Sequence, residues 1–257
     1  MISQVTFATE PTPGRLNEDL VVVGAGWAAL LDGATAPVGV DSGCVHGVRW
    51  LVHRLGAELG RLLLLEPESP LADLLERAIV STRAAHGSAC DLENPDSPSS
   101  TVTLLRACEK AVDYLVLCDS PLIIEVDGAV RVVLDERASR LPEHTTSGVR
   151  AARNQPGGFW VASTDPRAAH EALLGSFDRA AVGRAALLSD GASRFVERFH
   201  LGTWSDLLDL LEKAGPGELI RRVRAAESAE PADARRGKIH DDATAVLLDL
   251  SEGDLSG

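Results

Sequence analysis

Aromatic side chains are scarce in this sequence of 257 residues, in which Phe, Trp and Tyr together make up only 4%. Hydrophobic residues still account for 45% and charged residues for 25%, the balance of an ordinary globular protein. A hydrophobic core must therefore be built mainly from Leu, Val, Ile and Ala. The length suits one large domain or two small ones.

Long apolar runs are also missing. No stretch approaches the roughly 18 consecutive apolar residues that a membrane-spanning helix needs. The first ten residues lack the basic segment and the apolar run of a secretory leader. We therefore expect a cytoplasmic protein.

Positive charge is in the minority, with 25 Lys and Arg against 38 Asp and Glu, a formal net charge of -13 and a pI near 4.9. A nucleic-acid-binding protein needs a basic surface to neutralise phosphates, so we expect no nucleic-acid partner and no anionic membrane partner. The acidity itself is compatible with a cation site or with plain solubility, and bulk charge favours solubility.

Cysteine is limited to Cys44, Cys90, Cys108 and Cys118. No two of them stand at a metal-ligand spacing such as Cys-x-x-Cys. We therefore expect a reducing compartment in which these thiols are buried or have no chemical role.

The first half of the chain predicts a strand, a hairpin and two helices. Loose alternation over residues 2–8 indicates the strand, and two short apolar runs around Gly24-Ala25-Gly26 indicate the hairpin. Apolar residues at helical spacing predict one helix over residues 44–65 and a second over residues 71–79. Prolines and small polar residues over 91–100 predict an exposed loop.

Strand-like runs dominate the centre of the chain. Four follow in a row, over residues 101–107, 111–117, 121–126 and 129–134, with Asp127-Gly128 as a hairpin turn. Their short connections predict an antiparallel meander. Residues 139–171 are irregular, and they are followed by a strand over 184–188, helices over 192–199, 204–214 and 216–226, and a strand over 243–250.

No internal repeat is visible and no long linker divides the chain. We therefore predict one α+β domain over residues 1–250, in which helices cover antiparallel sheets, and a disordered tail over residues 251–257.

Carboxylates recur at the ends of the predicted strands. A carboxylate there is held by rigid backbone and can face a cleft. Acids that converge would repel one another unless a hard cation such as Mg²⁺ or Mn²⁺ lay between them. Asp and Gly are also common turn residues, so each position alone is ambiguous, and only the whole set favours a cation site. The set is Glu18, Asp19, Asp32, Asp119, Asp190, Asp241 and Asp242.

Five short motifs carry these acids and, in this order, resemble those of type 2C metal-dependent protein phosphatases. The resemblance extends from about residue 3 to about residue 250. It implies an antiparallel β-sandwich flanked by helices, an α-β-β-α arrangement of four layers. The motifs are Asn17-Glu18-Asp19, Leu31-Asp32-Gly33, Cys118-Asp119-Ser120, Ser189-Asp190-Gly191 and Asp241-Asp242-Ala243-Thr244.

The resemblance also implies a centre of two Mn²⁺ or Mg²⁺ ions. Asp32 would bridge both ions, and the backbone carbonyl of Gly33 would help to hold one. A water that bridges the ions would attack phosphorus in line, so no nucleophilic Ser or Cys is needed. The other implied residues are Asp190 and Asp241, which would complete one metal, and Glu18 and Asp19, which would act largely through metal-bound waters.

Two departures from the family pattern concern the phosphate. The family's phosphate-binding Arg falls at Gly14 here, which makes Arg15, one residue later, the candidate phosphate ligand. Ala34 replaces a His of the family. His46 is not expected to substitute for it, because it reads as an ordinary residue near the start of a helix.

Further departures concern the C-terminal acids. Arg194 stands where the family often has another Asp, which argues against a third cation held by Asp119 and Asp190. Asp242 replaces a common Asn. His240, which precedes the last acidic pair, is expected to be a loop residue and not a ligand.

The favoured hypothesis is a monomeric metal-dependent phosphatase that acts on phosphoserine and phosphothreonine in proteins. One alternative is a non-catalytic module that keeps the fold for binding or regulation, although the acidic set is intact. Another is a phosphatase for a small phosphorylated metabolite, which the altered Arg and the missing His would allow.

Overall fold

A computed structural model describes residues 2–36, 39–231 and 238–251. The strands are β1 (Gln4–Glu10), β2 (Leu20–Gly24), β3 (Trp27–Leu31), β4 (Gly33–Ala34), β5 (Ser99–Ser100), β6 (Val102–Ala107), β7 (Ala111–Leu117), β8 (Leu122–Val126), β9 (Ala129–Val133), β10 (Leu173–Asp178), β11 (Val182–Leu188) and β12 (Ala243–Asp249). The α-helices are α1 (Gly47–Leu65), α2 (Leu71–Ala85), α3 (Thr146–Ala152), α4 (Asp190–Glu197), α5 (Trp204–Ala214) and α6 (Pro216–Ala229).

Two antiparallel five-stranded sheets contain most of these strands. Sheet 1 has the order β1-β12-β11-β8-β9, and sheet 2 has the order β10-β7-β6-β3-β2. Strands β4 and β5 form a separate short pair. In sheet 1, β1 pairs with β12 along its whole length, with Gln4 opposite Asp249.

The fold has four layers, with helices on the outer face of each of two packed sheets. Alternate side chains of a strand that is buried on both faces point to the other sheet and to the helices. In β3, Ala28 and Leu30 pack between the sheets, whereas Ala29 and Leu31 pack against α1 and α2. The outer face of sheet 1 is covered by α4, α5 and α6. The predicted α+β sandwich with helices on both outer faces is confirmed.

The predicted four-stranded meander is wrong, because its strands form two hairpins in different sheets. Strands β6 and β7 belong to sheet 2, whereas β8 and β9 belong to sheet 1. The chain passes between the sheets over residues 118–121, where Cys118 has a φ of 70°. Apolar patterning predicts strands, but it does not say which of two buried sheets each strand joins.

Two further segments differ from the prediction. Strand β10, at the edge of sheet 2, was not predicted, because its residues are mostly exposed and Gly175 interrupts its pattern. The expected exposed loop over residues 91–100 is buried from Asp96 onward, and it ends in β5.

The predicted disordered tail falls almost entirely on residues 252–257, which lie outside the described residues. Among the helices that the structure describes, none is long and apolar enough to cross a membrane.

Candidate metal centre

Strand pairing brings the predicted acids to one end of the sandwich. Asp19 precedes β2 and Asp32 follows β3, and the hairpin register places Leu20 opposite Leu31. Both carboxylates therefore leave sheet 2 at the same end.

Sheet 1 supplies the remaining acids in the same way. Leu188 of β11 lies opposite Ala245 of β12, and the Ser189 N–H donates to the Thr244 carbonyl at 2.9 Å. This register places Asp190, at the start of α4, beside the acidic pair that precedes β12.

Two hydrogen bonds join the acidic ends of the sheets. The Asp190 N–H donates to Asp32 Oδ2 at 3.1 Å. The Thr244 hydroxyl donates to Asp19 Oδ2 at 2.6 Å. Acids that lie more than 150 positions apart in the sequence therefore face one another across the open end of the sandwich.

Desolvation and mutual repulsion raise the pKa values of these acids. Burial raises the pKa of Asp19 to about 7, against the lowering effect of the Thr244 hydroxyl. Burial and the neighbouring charges of Asp241 and Asp119 raise the pKa of Asp190 to about 8. Desolvation, and then the charges of Asp19 and Asp190, raise the pKa of Asp32 well above its usual range. A site of this kind favours a positive charge between the carboxylates.

Two observations fit a divalent cation in this place. Asp19 is only 6% exposed, and its Oδ1 is buried without a hydrogen-bond partner among the described residues. The backbone of Gly33 lies so close to Glu18 that an added Cβ would approach the Glu18 carbonyl oxygen to 2.6 Å. The donors of the set are oxygens, which suits Mg²⁺ or Mn²⁺.

The predicted ligands do not form one compact cluster. Within the described ranges, these acids form no group of three whose ligand atoms all lie within 4.8 Å of one another.

Asp241 and Asp242 differ from the other acids in their partners. Asp241 pairs with Arg194 at 3.1 Å and with Lys238 at 3.2 Å. Asp242 accepts the backbone N–H groups of Thr12 and Glu18 at 2.6 Å each. Asp242 therefore holds the loop that precedes β2, whereas Asp241 already shares its charge with two cationic side chains.

His240 and Arg194 belong to an ion-pair network next to the centre. The fully buried Glu227 of α6 accepts from Arg194 at 2.7 Å, from His240 at 2.7 Å and from Arg224 at 2.9 Å. No sequence pattern indicated Glu227, which belongs to none of the five acidic motifs.

Arg15 and His46, which were considered in place of the family's Arg and His, lie in different surroundings. Arg15 is exposed in the loop before Glu18, and in the described part of the chain no acid pairs with its guanidinium. His46 contacts Cys90 and stacks on Trp50, and it makes no contact with the acids.

A cavity of about 440 Å³ opens beside Asp119. Its lining includes residues 34–36, Thr101 and residues of the irregular segment that contains α3. That segment contributes Arg150 and Arg153, which no sequence motif marks because they lie in an irregular region. Arg150 pairs with Asp96 at 3.2 Å, and Arg153 donates to the Ser97 carbonyl at 2.6 Å.

Comparison with known proteins agrees with this architecture. The model of the family described as Protein phosphatase 2C matches residues 14–224. No match was found among curated protein sequences.

Solved structures of bacterial phosphatases are similar to the whole chain. The catalytic domain of the serine/threonine phosphatase PstP, in complex with two manganese ions, shares 22% identity over 96% of this chain and 97% of that one, with a TM-score of 0.60. The Mycobacterium tuberculosis phosphatase PstP/Ppp shares 21% identity over 98% and 100%, with a TM-score of 0.62. Stp1 from Staphylococcus aureus shares 15% identity over 98% and 96%, with a TM-score of 0.61.

The solved structures show the fold, and the family match covers most of the chain, including four of the five acidic motifs. The chain therefore belongs to the protein phosphatase 2C family of metal-dependent phosphatases.

Proposed function

We propose that this chain hydrolyses phosphoserine and phosphothreonine in proteins, with two divalent cations at the acidic centre. The observation that carries the proposal is the junction of the two sheets, where Asp190 N–H binds Asp32 and the Thr244 hydroxyl binds Asp19. These bonds fix two carboxylates whose charges need a cation, and they leave Asp19 Oδ1 for a ligand.

Asp19, Asp32 and Asp190 would hold the cations, with help from Asp241 and from the Gly33 carbonyl. When bound, the cations supply an activated water and neutralise the phosphoryl oxygens. The chain itself orients the carboxylates through the backbone of Asp190 and the hydroxyl of Thr244.

The remaining polar groups would bind the substrate or limit the number of cations. Arg15, exposed and without an acidic partner in the described part of the chain, would bind a phosphate oxygen. Arg194 pairs with Asp241 and stands at the position where the family often has a further Asp. Its positive charge would disfavour a third cation there. Asp119 remains a candidate ligand at the edge of the cavity that would receive the peptide.

The cellular setting belongs to the same proposal. All four cysteines are free, which suits a reducing cytoplasm. We place the protein there as a monomer, and size-exclusion chromatography with light scattering would check the oligomeric state.

The test is phosphate release from p-nitrophenyl phosphate and from a phosphothreonine peptide, with Mn²⁺, with Mg²⁺ and with EDTA. We expect cation-dependent release from both substrates and a higher kcat/KM for the peptide. Release from p-nitrophenyl phosphate alone would favour a small-metabolite phosphatase. No release from a folded sample under any cation would favour the non-catalytic module.

A further inference from the structure

Four side chains of soft-ligand type converge where α1 begins and α2 ends. Cys44 and His46 lie in the turn before α1, His86 follows α2, and Cys90 follows the next short turn. Their ligand atoms all lie within 4.8 Å of one another. Among the residues that the structure describes, no other group of three or more His, Cys, Asp or Glu meets this criterion.

Four of the six distances between these atoms are close to the edges of a tetrahedron around a small cation, and the other two are within 4.8 Å. The two sulfurs lie 3.6 Å apart. The sulfur-to-Nδ1 distances are 3.2 Å from Cys90 to His46, 3.5 Å from Cys44 to His86 and 3.8 Å from Cys44 to His46. Zinc bonds of about 2.3 Å to sulfur and about 2.0 Å to nitrogen give tetrahedral edges of about 3.8 Å between sulfurs and about 3.5 Å between sulfur and nitrogen.

From this geometry we propose that Cys44, His46, His86 and Cys90 bind one zinc ion in a closed structural site. Two thiolates and two imidazoles are a common ligand set of structural zinc, and four protein ligands leave no open position for catalysis. A disulfide between the two cysteines would leave both imidazoles of the group without a role. The oxygen ligands of the acidic centre suit a different class of metal.

The surroundings of the cluster are built to hold the imidazoles. Trp50 stacks on His46 with ring centroids 4.2 Å apart, and it meets His86 edge to face at 4.6 Å. His86 is itself buried. Trp50 therefore packs against both imidazoles, whose Nδ1 atoms lie 3.2–3.8 Å from the sulfurs.

The site would join two segments that lead to the acidic centre. The segment before α1 continues from β4, and the segment after Cys90 continues to β5. The Asp91 N–H donates to the Gly43 carbonyl at 2.8 Å, which holds the segments together near the cluster. At their other ends, Gly33 pairs with Ser100, next to Asp32. Zinc would therefore tie together the loops that flank the carboxylates.

Under this proposal, the expectation that the thiols are buried or have no chemical role would not hold for Cys44 and Cys90, which are half-buried. The ligands form a Cys-x-His pair and a His-x₃-Cys pair on either side of two whole helices, so no single spacing shows them. Only the packing of α1 against α2 brings the pairs together. Cys108 and Cys118 lie outside the cluster.

The first test is the zinc content of the full chain, purified without a polyhistidine tag from zinc-supplied cells and dialysed into Mg²⁺ buffer. We expect one zinc per wild-type chain and less than a tenth of that in Cys90→Ser and His86→Asn. Cys108→Ser and His53→Asn are the matched controls, since Cys108 lies elsewhere and His53 is exposed on α1. Both controls should keep the zinc.

Cobalt distinguishes this site from the acidic centre. Co²⁺ bound by thiolates gives a sulfur-to-metal charge-transfer band, which oxygen ligands cannot produce. We expect this band in the wild type and in Cys108→Ser, and its loss in Cys44→Ser. If the variants fail to fold, release of zinc from wild-type protein by a mercurial thiol reagent gives the same information without a substitution.

The proposal is overturned if fully reduced wild-type protein retains neither zinc nor cobalt. It is also overturned if cobalt binds without the thiolate band, or if the variants and their controls retain equal zinc. None of these readouts uses phosphatase activity, so the zinc site and the proposed function stand or fall separately.

Discussion

Asp32 connects the two sheets at the acidic centre, because its carboxylate accepts from the backbone of Asp190 while it follows β3 directly. Desolvation is the largest cause of its raised pKa, and the charges of the neighbouring acids raise that pKa further. The position of the Asp32 carboxylate therefore depends on the fold, and its pKa depends on burial and on the charges around it.

Asp32→Asn should preserve the fold and weaken cation binding, because the amide keeps the shape and removes the charge. Loss of outer-shell partners alone costs roughly 10–100-fold in metal affinity, so loss of a ligand should cost at least about 100-fold. Calorimetric titration with Mn²⁺ measures this. Asp127→Asn, in the β8–β9 turn, is the control that should bind as the wild type does.

Arg15→Ala should raise KM for a phosphothreonine peptide more than it lowers kcat, if the guanidinium binds phosphate in the ground state. Steady-state kinetics would measure both constants. The exposed Arg61 of α1, which pairs only with Glu58 in the described structure, supplies the control Arg61→Ala. Unchanged constants in Arg15→Ala would remove this residue from the site.

At this scale, the sequence predicted which acids would lie close together, but not the individual surroundings of each carboxylate. Asp19, Asp32 and Asp190 follow from motif order and strand ends. The pairing of Asp241 with Arg194 does not, because it depends on how α4 packs beside the segment before β12. Cys44 and His86 were missed for the same reason.

The start of α4 is the element that sets the spacing of the acids. Gly191 lies against the segment before β12, where an added Cβ would approach the Asp242 carbonyl oxygen to 2.0 Å. Any side chain here would push Asp190 and Asp242 apart.

Gly191→Ala should therefore lower stability by about 1–3 kcal/mol, the usual range for overpacking, and weaken Mn²⁺ binding. Gly217→Ala is the matched control, since it lies in the first turn of α6 with nothing near its added Cβ. The control should be as stable as the wild type or more so. Equal urea midpoints for the two variants would contradict the packing argument.

The network on α6 joins three elements through one buried acid. Glu227→Gln leaves Arg194 and Arg224 without a full counter-charge in a buried place, so we expect a loss of about 3 kcal/mol. Glu218→Gln on the same helix removes a half-buried acid whose partners, Arg221 and Arg222, are exposed, so it should change little. Urea unfolding compares the two, and similar midpoints would mean that the network does not stabilise the fold.

Elements with strong patterns were predicted nearly to the residue. Helix α5 has the predicted bounds, because its apolar period and its flanking residues agree. Strand β10 and the burial of the segment before β5 were not predicted. Both depend on contacts with distant parts of the chain, which local patterning does not contain.

For the whole molecule, the acidic centre couples cation binding to pH. The pKa values of Asp19 and Asp190 are about 7 and about 8 in the folded chain, above the usual value of about 3.9 in an unfolded one. Between the unfolded pKa of about 3.9 and these raised values, the cation-free folded chain therefore binds more protons than the unfolded chain. Its stability falls as pH rises through that range.

Mn²⁺ should therefore raise the melting temperature by several degrees more at about pH 8 than at about pH 5.5, because a cation competes with protons for the same carboxylates. Differential scanning calorimetry with and without Mn²⁺ measures the difference. Asp32→Asn, with a weakened site, should show a much smaller shift at the higher pH. Equal shifts at both pH values would contradict the link between the raised pKa values and the cations.

The most direct measurement of the central claim is phosphate release from a phosphothreonine peptide across a titration of Mn²⁺, with wild type and Asp32→Asn side by side. We expect wild-type turnover to rise with Mn²⁺, to saturate and to disappear with EDTA, and Asp32→Asn to stay at least about 100-fold slower throughout. Turnover that ignores EDTA, or a variant as fast as the wild type, would contradict the claim.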